Sequence, residues 1–309
     1  MALLHCPGTP ALYVCHGSIP WAEAAPRFPR LLRYVAVDHA CRDRLVLEHA
    51  IPEDQIRVIL NFVDLERFKR RAPLPAKPQR ALVFSNQATH IGPVRAACDR
   101  LSIHLDVVGR GVGNVSAYPE ALLGNYDIVF AKGRAALEAL AVGAAVVLCD
   151  AAGAGPMVTT ENVRHLWPLN FGIRALRETV SADVISREMS RYHPEDAAEV
   201  SEHIRATAGL DAALDELLAL YAEVLDEYRQ KDKDDAFAEQ RATAFYFGEL
   251  APRLRDHDQA RQALAETLAA TEAQLAMMKN SRAWRLVSRY AAIKQRFIPH
   301  VNGRPKVIA

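Results

Sequence analysis

Between Ala81 and Cys149 the chain repeats one unit, and that repetition restricts the fold more than any other feature. Short apolar runs at Ala81 to Ser85, His104 to Val108, Asp127 to Ala131 and Ala145 to Cys149 alternate with helical patterns at Pro93 to Leu101 and Ala135 to Val142. Runs of Val, Leu and Ile bounded by Gly or Asp, without polar alternation, are what strands buried on both faces require. Strands separated by helices of this length form βαβ units around a parallel sheet. An α/β, Rossmann-like domain is therefore expected over residues 81–209.

Residues 1–68 contain less of the same material. β-like runs at Ala11 to Cys15, Leu32 to Val37 and Arg57 to Leu60 surround a helical pattern at Ala40 to His49, and Asp38 is placed to cap that helix. About two complete strands are too few for a free-standing doubly wound sheet, so this is a partial α/β lobe. Residues 69–80, KRRAPLPAKPQR, combine three prolines with Lys and Arg and read as an extended, solvated linker. Beyond residue 209 the pattern is helical. Leu210, Leu214, Leu217, Tyr221, Val224 and Tyr228 step by four and three, as do Leu264, Leu268, Thr271, Leu275 and Met278. Such seams suit a coiled-coil extension over 210–278 and permit a homodimer; Pro252 is expected to divide it into two helices.

The net charge of +1 conceals a strong asymmetry. Residues 211–278 hold fifteen acids against seven Lys or Arg, whereas from Lys279 onward there are eight Lys or Arg and no acid. The tail, 279–309, is thus a separate electrostatic object. Within Ser281 to Ile298, Trp284, Val287, Ala291 and Ile298 fall on one helical face and Arg282, Arg285, Arg289 and Arg296 on another. A basic amphipathic helix with Trp suits an anionic membrane surface; the alternative is a helix clamped onto the acidic segment before it. No nucleic-acid-binding motif accompanies the basic residues, so nucleic acid is not an expected partner.

Other classes of function find no support. The most apolar run, Ala139 to Cys149, is eleven residues, short of the roughly 20 of a membrane span. The start, MALLHCPG, lacks the pattern of a signal peptide, and a cytoplasmic location is expected, with possible peripheral contact on the inner face of the membrane through 281–298. Cys6, Cys15, Cys41, Cys98 and Cys149 are scattered, with no CxxC pair, which argues against a disulfide framework and a zinc site. His, Asp and Glu are likewise without metal-ligand spacing, and no metal residue is assigned.

The stretch most suited to chemistry is Tyr126 to Asp150, YDIVFAKGRAALEALAVGAAVVLCD. A glycine at a strand-to-helix turn lets backbone N–H groups approach a phosphate, and the positive end of the helix favours the anion. Gly133 fits that position, with Lys132 and Arg134 adding charge. Glu138, a turn and a half into the helix, can accept both hydroxyls of a ribose. An ordinary glycine turn followed by a solvated glutamate remains the plainer alternative. Gly155 and Thr159 follow the strand that ends at Asp150, near an edge where open α/β sheets bind ligands; a connecting loop is the competing interpretation. GRGVGN at 109–114 imitates a dinucleotide fingerprint but lacks its third glycine in register, so it is expected to be a turn.

Three motifs resemble those of family 4 glycosyltransferases, which have the GT-B fold. Gly133, Glu138, Ala139, Ala141, Gly143 and Val146 match the donor-site pattern E-G-F-G-x-x-x-x-E-A-x-A-x-G-x-P-V; Asn61, Val63, Asp64 and Phe68 match the crossover between the two lobes; and Ala11 to Ser18, ALYVCHGS, is similar to the strand ending in His-Gly beside the cleft. The resemblance covers about residues 10–210. It implies a nucleotide-sugar donor-binding domain, transfer of the sugar to a glycan or lipid-linked envelope acceptor as in polysaccharide biosynthesis, and no cofactor or required metal. By this resemblance Glu138 holds the ribose, Lys132, Gly133 and Arg134 the diphosphate, Gly155 and Thr159 contact the donor, and His16 faces the reacting centre.

The chain also departs from that family. Phe130 stands where the first Glu belongs, and the loop Phe84 to His90 lacks the expected Arg and Lys. The lobe ahead of the crossover is short, about sixty residues, as in a shortened relative or a late-starting gene model. These departures fit the other expectation, a catalytically inactive relative that binds a nucleotide-sugar or glycan or serves in assembly.

Overall fold

The computed structural model describes residues 2–6, 8–19, 23–231 and 237–297. It divides into two compact units, 1–239 and 240–309. Ile298 and the residues after it lie outside the described part.

The first unit is mixed α/β with two sheets. Its amino-terminal lobe holds α1 (Ala2–His5), β1 (Ala11–Cys15), β2 (Leu31–Ala36), α2 (His39–Leu47) and β3 (Ile56–Val58). The three strands are parallel, in the order β1-β2-β3. Asp38 caps α2 as the sequence suggests, accepting the Cys41 N–H at 2.6 Å. The three strands correspond to the three β-like runs of the sequence; β3, at the run expected from Arg57 to Leu60, is only three residues long and carries a charged centre, Arg57.

The second lobe holds β4 (Arg80–Phe84), α3 (Ile91–Arg100), β5 (His104–Val108), α4 (Pro119–Leu123), β6 (Ile128–Ala131), α5 (Gly133–Val142), β7 (Ala145–Asp150) and β8 (Gly153–Met157), followed by α6 (Val163–Leu166), α7 (Ala182–Met189) and α8 (Pro194–Thr207). Strand order is β5-β4-β6-β7-β8; the first four are parallel and β8 is antiparallel to β7. The expected Rossmann-like sheet is present. Both faces are buried, as the continuous apolar runs require. Leu82, Val129 and Leu148 pack against Leu137 of α5 and Val200 of α8. Val83, Phe130 and Val147 pack on the other face against Val94 of α3 and Ile185 of α7. Each such side chain contributes about 1.5–3 kcal/mol on burial. Because α3 and α5 cover opposite faces, the connections diverge between β4 and β6, and the crevice at their carboxyl ends is a topological switch point.

The linker is exposed at most of its positions, as expected, but it is anchored: Arg71 forms a 2.9 Å ion pair with Asp127, both side chains being nearly buried. Asp127 also accepts the N–H groups of Gln79 at 2.8 Å and Arg80 at 3.1 Å, so the segment is stapled to the start of β4 and β6. Helix α9 (Leu210–Gln230) does not begin a separate extension but packs on the amino-terminal sheet, where Ala213 and Leu220 join Val35 and Ile59. Its buried stripe runs through Ala213, Leu217, Leu220 and Val224, whereas Leu214 and Tyr221 of the expected seam are exposed. The two passes between lobes lie side by side, with Val63 donating to the Ala208 carbonyl at 2.8 Å and accepting from Leu210 at 3.0 Å.

In the second unit α10 (Ala238–Asn280) continues through Pro252 rather than breaking there. Proline removes the bond to the carbonyl four residues back, here Gly248. Both residues are exposed, so water can satisfy that carbonyl. Helix α11 (Arg282–Phe297) follows after Ser281, whose Oγ accepts the Trp284 N–H at 3.1 Å. Among the described residues no helix is long and apolar enough to cross a membrane.

Candidate functional site

Strand β6 delivers Lys132 and Gly133 to the switch point. Gly133 has φ +59°, a left-handed conformation that glycine adopts without steric cost. A Cβ there would meet nothing closer than Asn170 Nδ2 at 4.0 Å, so conformation rather than space demands glycine. Its N–H donates to the Phe171 carbonyl at 3.0 Å. That carbonyl is carried in by two consecutive left-handed residues, Asn170 (φ 55°) and Phe171 (φ 48°), and such backbone strain gathers at functional sites. The turn expected to offer the Gly133 amide to a phosphate therefore has that amide engaged. Helix α5 has no side-chain cap, which leaves the Arg134 and Ala135 amides of its first turn as the anion-facing donors.

Glu138 is buried at 9% exposure, not solvated as the plainer alternative held. Its Oε1 accepts the Arg134 Nε–H at 2.9 Å. Burial raises its pKa above the ordinary glutamate value, with Arg134 and Arg67 opposing the shift and Glu120 adding to it. Arg67, on the crossover, is itself paired with Glu120 of α4 at 2.9 Å. Glu138 thus lies where the crossover, α4 and α5 approach one another.

On the other side of Gly133, Lys132 Nζ is 3.6 Å from Asp150 Oδ1 at the end of β7. Asp150 Oδ2 accepts from Ser85 Oγ at 3.2 Å. His90, in the loop after β4, is 2% exposed and neither ring nitrogen has a hydrogen-bond partner among the described residues. Burial lowers its pKa, while Asp150 pulls upward and Lys132 downward. The ends of β4, β6 and β7 therefore bring Ser85, His90, Lys132 and Asp150 to one rim. The turn at 109–114 covers the β4 loop closely: a Cβ on Gly109 would lie 1.7 Å from the Ser85 carbonyl oxygen. It is the expected turn, and glycine is needed there for close approach.

The remaining residues assigned from sequence are dispersed. His16 is exposed at the carboxyl end of β1 and makes no hydrogen bond or ion pair among the described residues; the neighbouring Gly17 carbonyl accepts from Arg44 Nη1 at 2.6 Å. The lobes meet nearby, where Arg174 pairs with Asp43 of α2 at 2.6 Å. Gly155 is buried within β8, where a Cβ would stand 2.5 Å from the Ala175 carbonyl oxygen. That contact explains the glycine by packing. Thr159 lies beyond Val158, which donates to Val146 at 2.8 Å; because β8 runs antiparallel, this places Thr159 at the amino end of β7, away from Lys132. Neither Gly155 nor Thr159 joins the rim. Phe130, at the position of the missing Glu, is fully buried in the sheet.

Sequence reasoning missed Asp150, Ser85 and His90 as a group. An acid closing an apolar strand and a histidine just before a helix were the available signals, but only strand order joins them. Among the described residues no group of His, Cys, Asp and Glu could hold a metal ion.

No protein-family model matches the sequence, and no curated protein matches it significantly. Solved structures do. A glycosyltransferase from Rickettsia africae is similar over 62% of this chain and 63% of its own, at 17% identity and TM-score 0.47. The glycotransferase of kitacinnamycin is similar over 61% of this chain and 54% of its own, at 17% identity and TM-score 0.34. The chain thus spans less than two thirds of the length of either protein.

Proposed function

We propose that this protein is a GT-B-type glycosyltransferase that binds a nucleotide-sugar across the carboxyl edge of the second sheet. The observation that carries the proposal is Glu138: a buried carboxylate on α5, five residues beyond a left-handed glycine at the switch point. A carboxylate is acceptor-only and pairs naturally with the two hydroxyls of a ribose. The diphosphate would then lie over the first turn of α5, where the Arg134 and Ala135 amides, the helix dipole and the Lys132 ammonium stabilise the charge that accumulates on the leaving group. Such catalysis is chiefly positioning and electrostatics and calls for no metal. His16 would face the acceptor from the first lobe, the acceptor being a glycan or lipid-linked envelope molecule. The exposed Trp284, Leu286, Val287 and Tyr290 on α11, with Arg282 and Arg289, support peripheral contact with the membrane that would carry such an acceptor.

A second interpretation, a donor-binding protein without transferase activity, is favoured by particular contacts. Lys132 is neutralised by Asp150, Arg134 is engaged by Glu138, and Phe130 provides no carboxylate. Thermal unfolding with UDP, GDP and their sugars, wild type against Glu138→Ala, tests the shared claim. A ligand at 100 times its Kd adds about 2.7 kcal/mol, a shift of several degrees at this size. If no nucleotide raises Tm in the wild type, both interpretations fall. Release of nucleoside diphosphate in the presence of acceptor then separates enzyme from binding protein.

A further inference from the structure

Every residue of α10 from 251 to 280 is exposed. Most helical stability in proteins comes from packing of an amphipathic face, so a bare helix of this length points to a partner for that face. Its apolar residues keep a seven-residue repeat, the period of a coiled-coil seam rather than of a helix lying on a core. With Phe247 as a, the a positions are 247, 254, 261, 268 and 275 and the d positions 250, 257, 264, 271 and 278. Seven of these ten are Phe, Leu or Met, and the exceptions are His257, Arg261 and Thr271. Leu254, Leu264, Leu268, Leu275 and Met278 are 46–71% exposed. Pro252 and Gly248, the residue types least suited to a helix interior, fall at f and b, on the side turned away from the seam.

The occupant that fits this face is a second copy of the same helix, parallel and in register. In that alignment Arg253 at g lies beside Asp258 at e of the other copy, and no e–g pair between 247 and 279 brings like charges together. Asp258 Oδ1 already accepts from Arg261 Nη2 at 2.8 Å, so the guanidinium at the polar a layer brings its counter-charge with it. Five acids and three Arg over 247–278 leave little net charge to repel a copy. Other alignments are worse. Antiparallel helices with 247 opposite 278 set Arg261 against Leu264 and His257 against Leu268, burying polar groups against leucine. The antiparallel alignment that joins His257 to Arg261 sets Leu275 against Thr243, Met278 against Gln240 and the two Asp258 side by side. Parallel helices shifted by one heptad set Arg261 against Leu254 or Leu268. The seam with its e and g flanks comprises eighteen residues a side, close to the roughly 20 of a standard stable interface.

We propose that this protein is a dimer, joined through residues 247–278 of α10 in a parallel two-stranded coiled coil. The parallel sense sets both α11 helices, with Arg282 and Arg289, at the same end of the pair. The proposal depends on this segment and stands or falls apart from nucleotide binding.

Sedimentation equilibrium of the full chain should give twice the 34.2 kDa chain mass. Leu264→Asp with Leu268→Asp removes two apolar layers and should raise the dissociation constant by about a hundredfold or more. Thermal unfolding of the α/β unit should be unchanged by it, because both side chains are exposed. Ala269→Glu with Ala276→Glu, at outward b positions, should leave the dimer intact. Thr271→Cys, with the exposed Cys6 replaced by Ser, brings two thiols within disulfide distance in the parallel register and not in either antiparallel one, so oxidised glutathione should link the chains. A monomer at the highest soluble concentration overturns the proposal, and a monomer whose vesicle binding falls with the Leu264 and Leu268 changes assigns the face to lipid instead. A dimer that survives those changes, or is lost with the alanine changes, uses another face and overturns it as well. A trimer or tetramer, or a dimer whose Thr271→Cys chains do not cross-link, overturns the parallel pair.

Discussion

Lys132 at the end of β6 and Asp150 at the end of β7 are joined across the carboxyl edge of the sheet, with Nζ 3.6 Å from Oδ1. The cation best placed to meet a diphosphate is thus held by an acid that is 5% exposed and that repels the same ligand. Asp150→Asn is expected to keep the Ser85 contact, free Lys132, and tighten nucleoside diphosphate binding several-fold, with a steeper fall of affinity as salt is added. Calorimetry at two ionic strengths checks this. A weaker complex would mean that Asp150 serves to position Lys132.

Glu138 gives a pH signature. Its pKa in the folded protein is raised, chiefly by burial, so the folded state holds its proton more tightly than the unfolded chain. The ionised form therefore costs stability at neutral pH, and the cost disappears as pH falls below the unfolded glutamate value, about 4.3. Glu138→Gln should raise Tm at pH 7, and the gain should shrink toward pH 4. The same variant should lose nucleotide-dependent stabilisation. A Tm gain that is independent of pH would remove Glu138 as its source.

Gly133→Ala places a Cβ on a residue at φ +59°. The expected cost is about 1–2 kcal/mol, visible as a lower urea midpoint with unchanged m-value. No steric clash contributes, because the nearest atom would be 4.0 Å away. An unchanged midpoint would show that α5 can begin without a left-handed residue.

Asp127→Ala leaves Arg71 nearly buried without its partner and removes the acceptor of the Gln79 and Arg80 N–H groups. Breaking a pair of this kind costs about 3–5 kcal/mol. Arg71→Ala with Asp127→Ala should cost less than the two single changes together, which a double-mutant cycle measures. Additive losses would mean that the linker is held by other contacts.

Helix α11 presents Trp284, Leu286, Val287 and Tyr290 at 44–68% exposure. Co-sedimentation with vesicles containing phosphatidylglycerol should exceed that with phosphatidylcholine alone and should decline with salt. Replacing Arg282 and Arg289 by Gln should weaken binding to the anionic vesicles, at about 1 kcal/mol per charge. Equal binding to both vesicle types would exclude the charge contribution.

What the sequence determined was local. Uninterrupted Val, Leu and Ile runs marked β4 through β7 within a residue or two, because a strand buried on both faces has no polar alternation to obscure it. Asp38 was readable as a cap and Gly133 as a turn because both follow from the geometry of a few neighbouring residues. Tertiary structure decided the rest. Strand β8, with Gly153, Gly155 and Pro156, has no β signal of its own; β7 and the close approach of the Ala175 backbone hold it in place. Helix α9 carries two apolar stripes, and only the amino-terminal sheet selects Ala213, Leu217, Leu220 and Val224 as the buried one. The pairing of Lys132 with Asp150, and the placing of His90 beside them, depend on β4, β6 and β7 lying together, a non-local arrangement that leaves no periodic trace along the chain.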